Sequence, residues 1–203
     1  MNGRTVALSL VSLLISGIVG TIPVASQRSS DLDTLLAALQ NERTSNDAMQ
    51  VLIKRGKADH EVRKYLAGRL PTLLDHYKQR SDGIPDLVWG NEARIAGELE
   101  IAEAAPVLAR RIDMVTGPRS GGAQGYNFHE RAADNALINI GPPAVPVVIE
   151  ILKNGNALRR EIAAHVLRYI GTSAAWQALE DALPGEQDPK VRNRIQEALD
   201  SRR

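Results

Sequence analysis

Four histidines, at positions 60, 76, 129 and 165, and the glutamates Glu92, Glu98, Glu100 and Glu103 carry the chemistry for metal binding or acid–base catalysis. Their spacing argues against both. His129 and Glu130 open like a His-Glu-x-x-His zinc motif, but Ala133 stands where the second ligand would be. The other histidines are scattered, and the chain has no cysteine, which excludes a thiolate metal site, a cysteine nucleophile and a disulfide framework. Nothing makes two of the glutamates converge, so they read as a solvated helix face. Residues 114–127, Met-Val-Thr-Gly-Pro-Arg-Ser-Gly-Gly-Ala-Gln-Gly-Tyr-Asn, hold four glycines but no Gly-Lys-Ser/Thr, so they form no phosphate-binding loop. The segment is longer than an ordinary helix–helix connection and reads as either a binding loop or a simple insertion. Arg119, Tyr126, Phe128 and His129, within it or just after it, are the densest grouping of recognition residues in the chain. No catalytic, cofactor-binding or metal-binding residue is assigned.

The elements that would carry these side chains follow from composition. Of 203 residues 43% are apolar and only 3% aromatic, so the core must be aliphatic. Lys and Arg number 25 against 24 Asp and Glu, a formal charge of +1, which is no electrostatic footprint for nucleic acid. Arg4 is the only charged residue before Arg28; Val6 to Ala25 is apolar or small, and Val24-Ala25-Ser26 precedes Gln27. This reads as a secretory signal peptide over 1–26 with a body over 27–203, exported to a periplasmic or extracellular location. The alternative is a retained N-terminal anchor with the body outside the cytoplasm, the only membrane contact expected. Removing 1–26 takes away one arginine and no acid, 25 less 1 against 24, a formal charge of zero.

A repeat runs through the body. Asp59-His-Glu-Val62-Arg63 through Leu70 lines up without a gap on Asp188-Pro-Lys-Val191-Arg192 through Leu199. Phe128 to Gly141 matches Leu158 to Gly171 position for position, 30 residues on. Apolar positions recur as one stripe of a 3.6-residue helix, with small residues where a neighbouring helix approaches. Gly141 and Gly171 fall where a left-handed glycine ends a helix, and a second apolar run follows each. Each unit therefore reads as helix, turn, helix, and such hairpins must stack to bury both faces. The spacing predicts pairs at 32–40 with 46–55, 60–69 with 72–78, 91–100 with 106–113, 128–140 with 146–153 and 158–170 with 174–183, then a closing helix at 190–200. Pro71 is expected to open the second helix of its pair.

The pattern Val/Leu-Arg-x-x-Ile/Ala-Ala, then Ala/Val-Leu-x-x-Ile-Gly, then Ala-Val-Pro-Val-Val resembles HEAT repeats, and most closely the short variety named after phycobilisome lyases. The resemblance covers roughly 59–200. It implies an all-α, right-handed, armadillo-like solenoid of stacked antiparallel helix pairs that works as a binding platform. Gly141-Pro142-Pro143 and Gly171-Thr172-Ser173 lack the usual Gly-Asp turn. The resemblance also implies that the Val-Arg helices line a concave face, directing Arg63, Arg94, Asp134, Arg160, Arg168 and Arg192 into one groove with Trp89 as an anchor. Trp176 is expected on the convex side. The expected function is a monomeric, non-catalytic, extracytoplasmic scaffold. It binds a protein or peptide through Trp89, Arg94, Arg119, Tyr126, Phe128, His129, Arg160 and Arg168. The alternatives are a small-ligand binder or enzyme built on Glu98, Glu100 and His129, and a structural subunit of a larger envelope assembly.

Overall fold

The computed structural model describes residues 25–76, 87–114, 116 and 131–202. Residues 1–24 and Arg119, Tyr126, Phe128 and His129, with most of the glycine-rich segment, lie outside the described residues. Among the described residues the structure is all-helical. Its helices are α1 (Ala25–Leu39), α2 (Ser45–Ala58), α3 (His60–Asp75), α4 (Leu87–Glu98), α5 (Ala105–Arg110), α6 (Ala132–Ile140), α7 (Val145–Asn154), α8 (Ala157–Ile170), α9 (Ser173–Ala182) and α10 (Pro189–Asp200). Short 3₁₀ turns, Ala102–Ala104 and Pro142–Ala144, lead into α5 and α7, where Pro106 and Pro146 occupy the first helical turn and sacrifice no bonded N–H. No single described helix is long and apolar enough to cross a membrane.

The helices form two layers. In the first, α2, α4, α6, α8 and α10 pack each on the next; in the second, α3, α5, α7 and α9 do the same. Hairpins join the layers, α2 to α3, α7 to α8 and α8 to α9, and α1 packs on α2. The core between them is almost wholly aliphatic. On α8, Ile162, Ala163, Val166 and Leu167 are buried, and on α6 so are Ala133, Ala136, Leu137 and Ile140, the stripe expected from the repeat. Each fully buried Leu or Ile contributes roughly 1.5–3 kcal/mol against exposure.

Small residues set the helix spacing. A Cβ placed on Gly97 of α4 would lie 2.8 Å from the Ala136 Cα of α6, so a glycine is required for this closest approach in the first layer. Gly171 ends α8 in the left-handed conformation, at φ 66° and ψ 17°. Gly141 also has positive φ, 74°, but its ψ of −135° turns the chain straight into the 3₁₀ turn rather than into a left-handed cap.

The N-terminal register differs from the expected one. Pro71 lies inside α3 and opens no second helix, and the proposed 60–69 with 72–78 pair is one continuous helix through Asp75, with Lys78 outside the described residues. An internal proline costs about 3 kcal/mol in an isolated helix. Here Val62, Leu66, Leu70 and Leu74, four apart and all buried, carry a single stripe past it. The Trp89 indole N–H also donates to the Leu74 carbonyl at 3.1 Å, so the last turn stays helical. The first hairpin is therefore α2 with α3, and α1 precedes it.

This shift explains the gapless match of 59–70 on 188–199. Those segments sit in different layers, α3 in the second and α10 in the first. They share a helix start: the Asp59 side chain accepts from Glu61 N, and that of Asp188 from Lys190 N and Val191 N. The motif marks a junction, whichever layer it enters.

Candidate binding face

The arginines of the repeat motif are engaged by the fold itself. Four residues after each capping Asp or Asn, a guanidinium turns back to a carbonyl at the end of the preceding helix. Arg63 donates to Gly56 O at 3.4 Å, Arg160 to Gly155 O at 2.8 Å and Arg192 to Leu183 O at 3.0 Å. Arg159 likewise donates to Ala109 O and Arg110 O at 2.9 and 3.3 Å. Arg160 in addition holds Glu186 through two bonds of 2.8 Å, which keeps the Glu186 carboxyl below its usual range and raises the guanidinium above its own.

The single groove expected for Arg63, Arg94, Asp134, Arg160, Arg168 and Arg192 does not form. Arg63 lies in the second layer, and Arg160 and Arg192 serve as helix clamps. Asp134 is 1% exposed. Trp89 is no anchor either: at 1% exposure, with its indole N–H on α3, it is a core residue that locks α4 to α3. Trp176 is half-buried on α9 in the second layer, beneath the Arg202 guanidinium at 5.5 Å.

A groove of about 410 Å³ does open in the first layer between α4 and α6. Leu87, Asn91, Arg94 and Glu98 form one wall, Ala132, Asn135, Ala136 and Asn139 the other, and Thr116 closes one end. The walls are fixed from behind. Asn91 Nδ2 donates to Ser45 Oγ at 2.9 Å and Asn46 Oδ1 at 3.0 Å, and Lys57 Nζ meets Glu98 at 2.6 Å. Thr116 Oγ1 accepts the Ala132 N–H at 3.1 Å, satisfying an orphan donor at the start of α6. Arg94 is exposed and makes no ion pair or hydrogen bond of its own among the described residues; it is felt by Glu98.

The repeat offset carries the face onward. Thirty residues after Asn139 stands Tyr169 on α8, 60% exposed. Its ring lies 4.7 Å from that of His165 and under the Arg168 guanidinium at 5.6 Å. Sequence reasoning missed Tyr169, Asn135 and Asn139. The signal was available: the same offset that aligned the buried stripes maps the exposed Asn139 onto Tyr169.

Charge is buried beneath this face. Burial raises the Asp134 carboxyl to about 7 against the pull of Arg131 and of the Asp134 and Asn135 backbone N–H groups, and neither carboxylate oxygen has a side-chain partner among the described residues. His165, 8% exposed, is lowered to about 4 by burial and by the cations Arg194, Arg168 and Arg131.

The residues of the catalytic alternative diverge. Glu98 is held by Lys57, and Glu92 is buried where Gln40 donates to it at 2.5 Å. Glu100 sits beyond α4 at φ 52°, and His129 lies outside the described residues. Among the described residues no group of three or more His, Asp or Glu is placed to hold a metal ion.

A second groove, about 670 Å³, lies in the other layer between α7 and α9. Ile149, Leu152, Ala174 and Ala178 line it, and the Arg160–Glu186 pair stands on its rim.

A comparison with protein families matches residues 128–200 to HEAT repeats, the stretch that folds as α6 to α10. A comparison with curated proteins gives no match. HEAT repeats are typically non-catalytic and suggest an interaction scaffold, as do the stacked layers and open first-layer groove. The C-terminal part of the chain, α6 to α10, is thus similar to HEAT repeats.

Proposed function

We propose that the protein is a non-catalytic interaction scaffold that receives an extended segment of a protein partner on the first-layer face, from the α4–α6 groove to Tyr169. The observation that carries this reading is a polar groove with fixed walls, continuous in repeat register with an exposed tyrosine. The body is proposed to act outside the cytoplasm, supported by Arg4 and the apolar stretch from Val6 to Ala25.

Selection from a random peptide library, followed by hydrogen exchange of the complex, tests the site. Protection confined to α4, α6 and α8, lost in Tyr169→Ala, is the expected result. Protection on α7 and α9 instead moves the site to the second layer and overturns the reading. For the location, the intact mass of the mature protein is expected to correspond to a chain starting near Gln27; an uncleaved chain retained in the cytosol refutes export.

A further inference from the structure

We infer that the segment taken by this face is acidic: its carboxylates meet Arg94 at one end and Arg168 at the other, and an apolar side chain between them rests on Tyr169. This rests on the reading of the first-layer face as the binding surface and adds the chemistry of the partner.

Arg63, Arg159, Arg160 and Arg192 are occupied by backbone carbonyls, and Arg160 by Glu186 as well. Arg69, Arg110 and Arg202 pair with Asp33, Asp75 and Glu180. Arg43, Arg55, Arg94 and Arg168 make no ion pair among the described residues, and of these four Arg94 lines the α4–α6 groove and Arg168 lies over the Tyr169 ring. The one carboxylate near Arg94, that of Glu98, is already bound by Lys57 at 2.6 Å, so two cations share one anion. Among the described residues Arg168 has the Tyr169 ring alone for a partner. Behind it, Glu161 and Glu197 are both taken by Arg194, at 3.5 and 3.0 Å. Asp134, with its carboxyl raised to about 7, carries only a fraction of a negative charge near neutral pH. The positive field beneath the face is registered by His165, which Arg194, Arg168 and Arg131 all disfavour as a cation.

Geometry sets the ligand's length and type. Packed helix axes lie 8–10 Å apart, so α4 to α8 across α6 spans about 20 Å, the reach of about six extended residues. A planar guanidinium takes a carboxylate through two parallel bonds, and an exposed tyrosine offers an apolar surface with a polar tip. Two arginines on a chain of net charge +1 do not make a nucleic-acid surface.

The test uses two fluorescent seven-residue peptides, one alternating Glu and Leu, the other with Gln in place of Glu, read by anisotropy. The Glu peptide is expected to bind at least tenfold more tightly than the Gln peptide and to weaken as salt rises from about 50 to about 300 mM. Arg94→Gln with Arg168→Gln is expected to bring both peptides to the same affinity. Arg94→Lys with Arg168→Lys retains the salt dependence, and Lys153→Gln in the second layer changes nothing. Equal affinity of the two peptides for the unaltered protein overturns the inference, as does a Glu peptide indifferent to the double Gln variant. The scaffold reading fails separately, if library-selected peptides of any charge protect α7 and α9 rather than α4, α6 and α8.

Discussion

The α4–α6 and α7–α9 grooves differ in what their arginines have left to offer. Between α7 and α9 the floor is aliphatic and the rim balances its charges, Arg160 against Glu186 as an ion pair and Lys153 against Asp181 in number. Between α4 and α6 the groove is smaller and polar, and Arg94 has no dedicated anion. Both grooves hold an arginine on a surface helix. One is a structural clamp whose charge is consumed by a helix end; the other keeps its charge available. An arginine therefore counts toward recognition only after the demands of the backbone carbonyls and buried carboxylates around it have been met.

The largest effect is expected where the first layer closes. Gly97→Val puts side-chain atoms inside the space held by Ala136 Cα, 2.8 Å from a Cβ, and forces α4 and α6 apart. A loss of about 3 kcal/mol in denaturant unfolding is expected, and an unchanged midpoint would mean that the helices are not held by this contact.

Next comes the charge buried under the face. In the folded state Asp134 keeps its proton up to about pH 7, against 3.8 for a free carboxyl, so burying it costs stability as pH rises from 4 to 7. His165 loses its proton at about 4 instead of 6.5, so its burial costs stability as pH falls from 6.5 to 4. Between about pH 4 and 6.5 the folded chain carries one extra proton on Asp134 and the unfolded chain one on His165, and the two slopes cancel. Asp134→Asn is expected to add on the order of 2 kcal/mol at pH 8 and to unmask a rise in stability from pH 4 to 6.5. His165→Gln is expected to unmask a fall over that range. Parallel pH profiles for the two variants would refute the assignment.

Smaller still is the direct contrast of arginines. Arg160→Ala takes the guanidinium from Gly155 O and leaves the largely buried Glu186 with backbone donors only, and is expected to cost about 1–2 kcal/mol. Arg94→Ala is expected to change stability by less than about 0.5 kcal/mol while weakening the acidic peptide. The reverse ranking, read by thermal unfolding, would remove the distinction between clamp and free charge.

The C-terminal half was legible because its signals are local and repeated. The 30-residue offset, the stripes on α6 and α8, Pro146 near the start of α7 and Gly171 after α8 each act within one hairpin, and the helices formed close to the expected bounds. The N-terminal half was misread at Pro71, which carries the same local signal as a helix start; the buried stripe from Val62 to Leu74 and the Trp89 indole on the Leu74 carbonyl keep α3 continuous. Trp89, expected as an anchor from the resemblance, is inside because its large apolar ring is buried and its indole N–H finds the Leu74 carbonyl. Arg119, Tyr126, Phe128 and His129 lie outside the described residues.

By itself the sequence determined that the chain is built of amphipathic helices joined by tight turns and stacked, because stripes, caps and helix-ending glycines are set by residues within about ten positions of one another. Which layer α3 enters, which tryptophan is core and which arginine keeps its charge were decided only by the tertiary structure. The acceptor that occupies a guanidinium, or the carbonyl that takes an indole N–H, belongs to another helix, and its position exists only once the helices have packed.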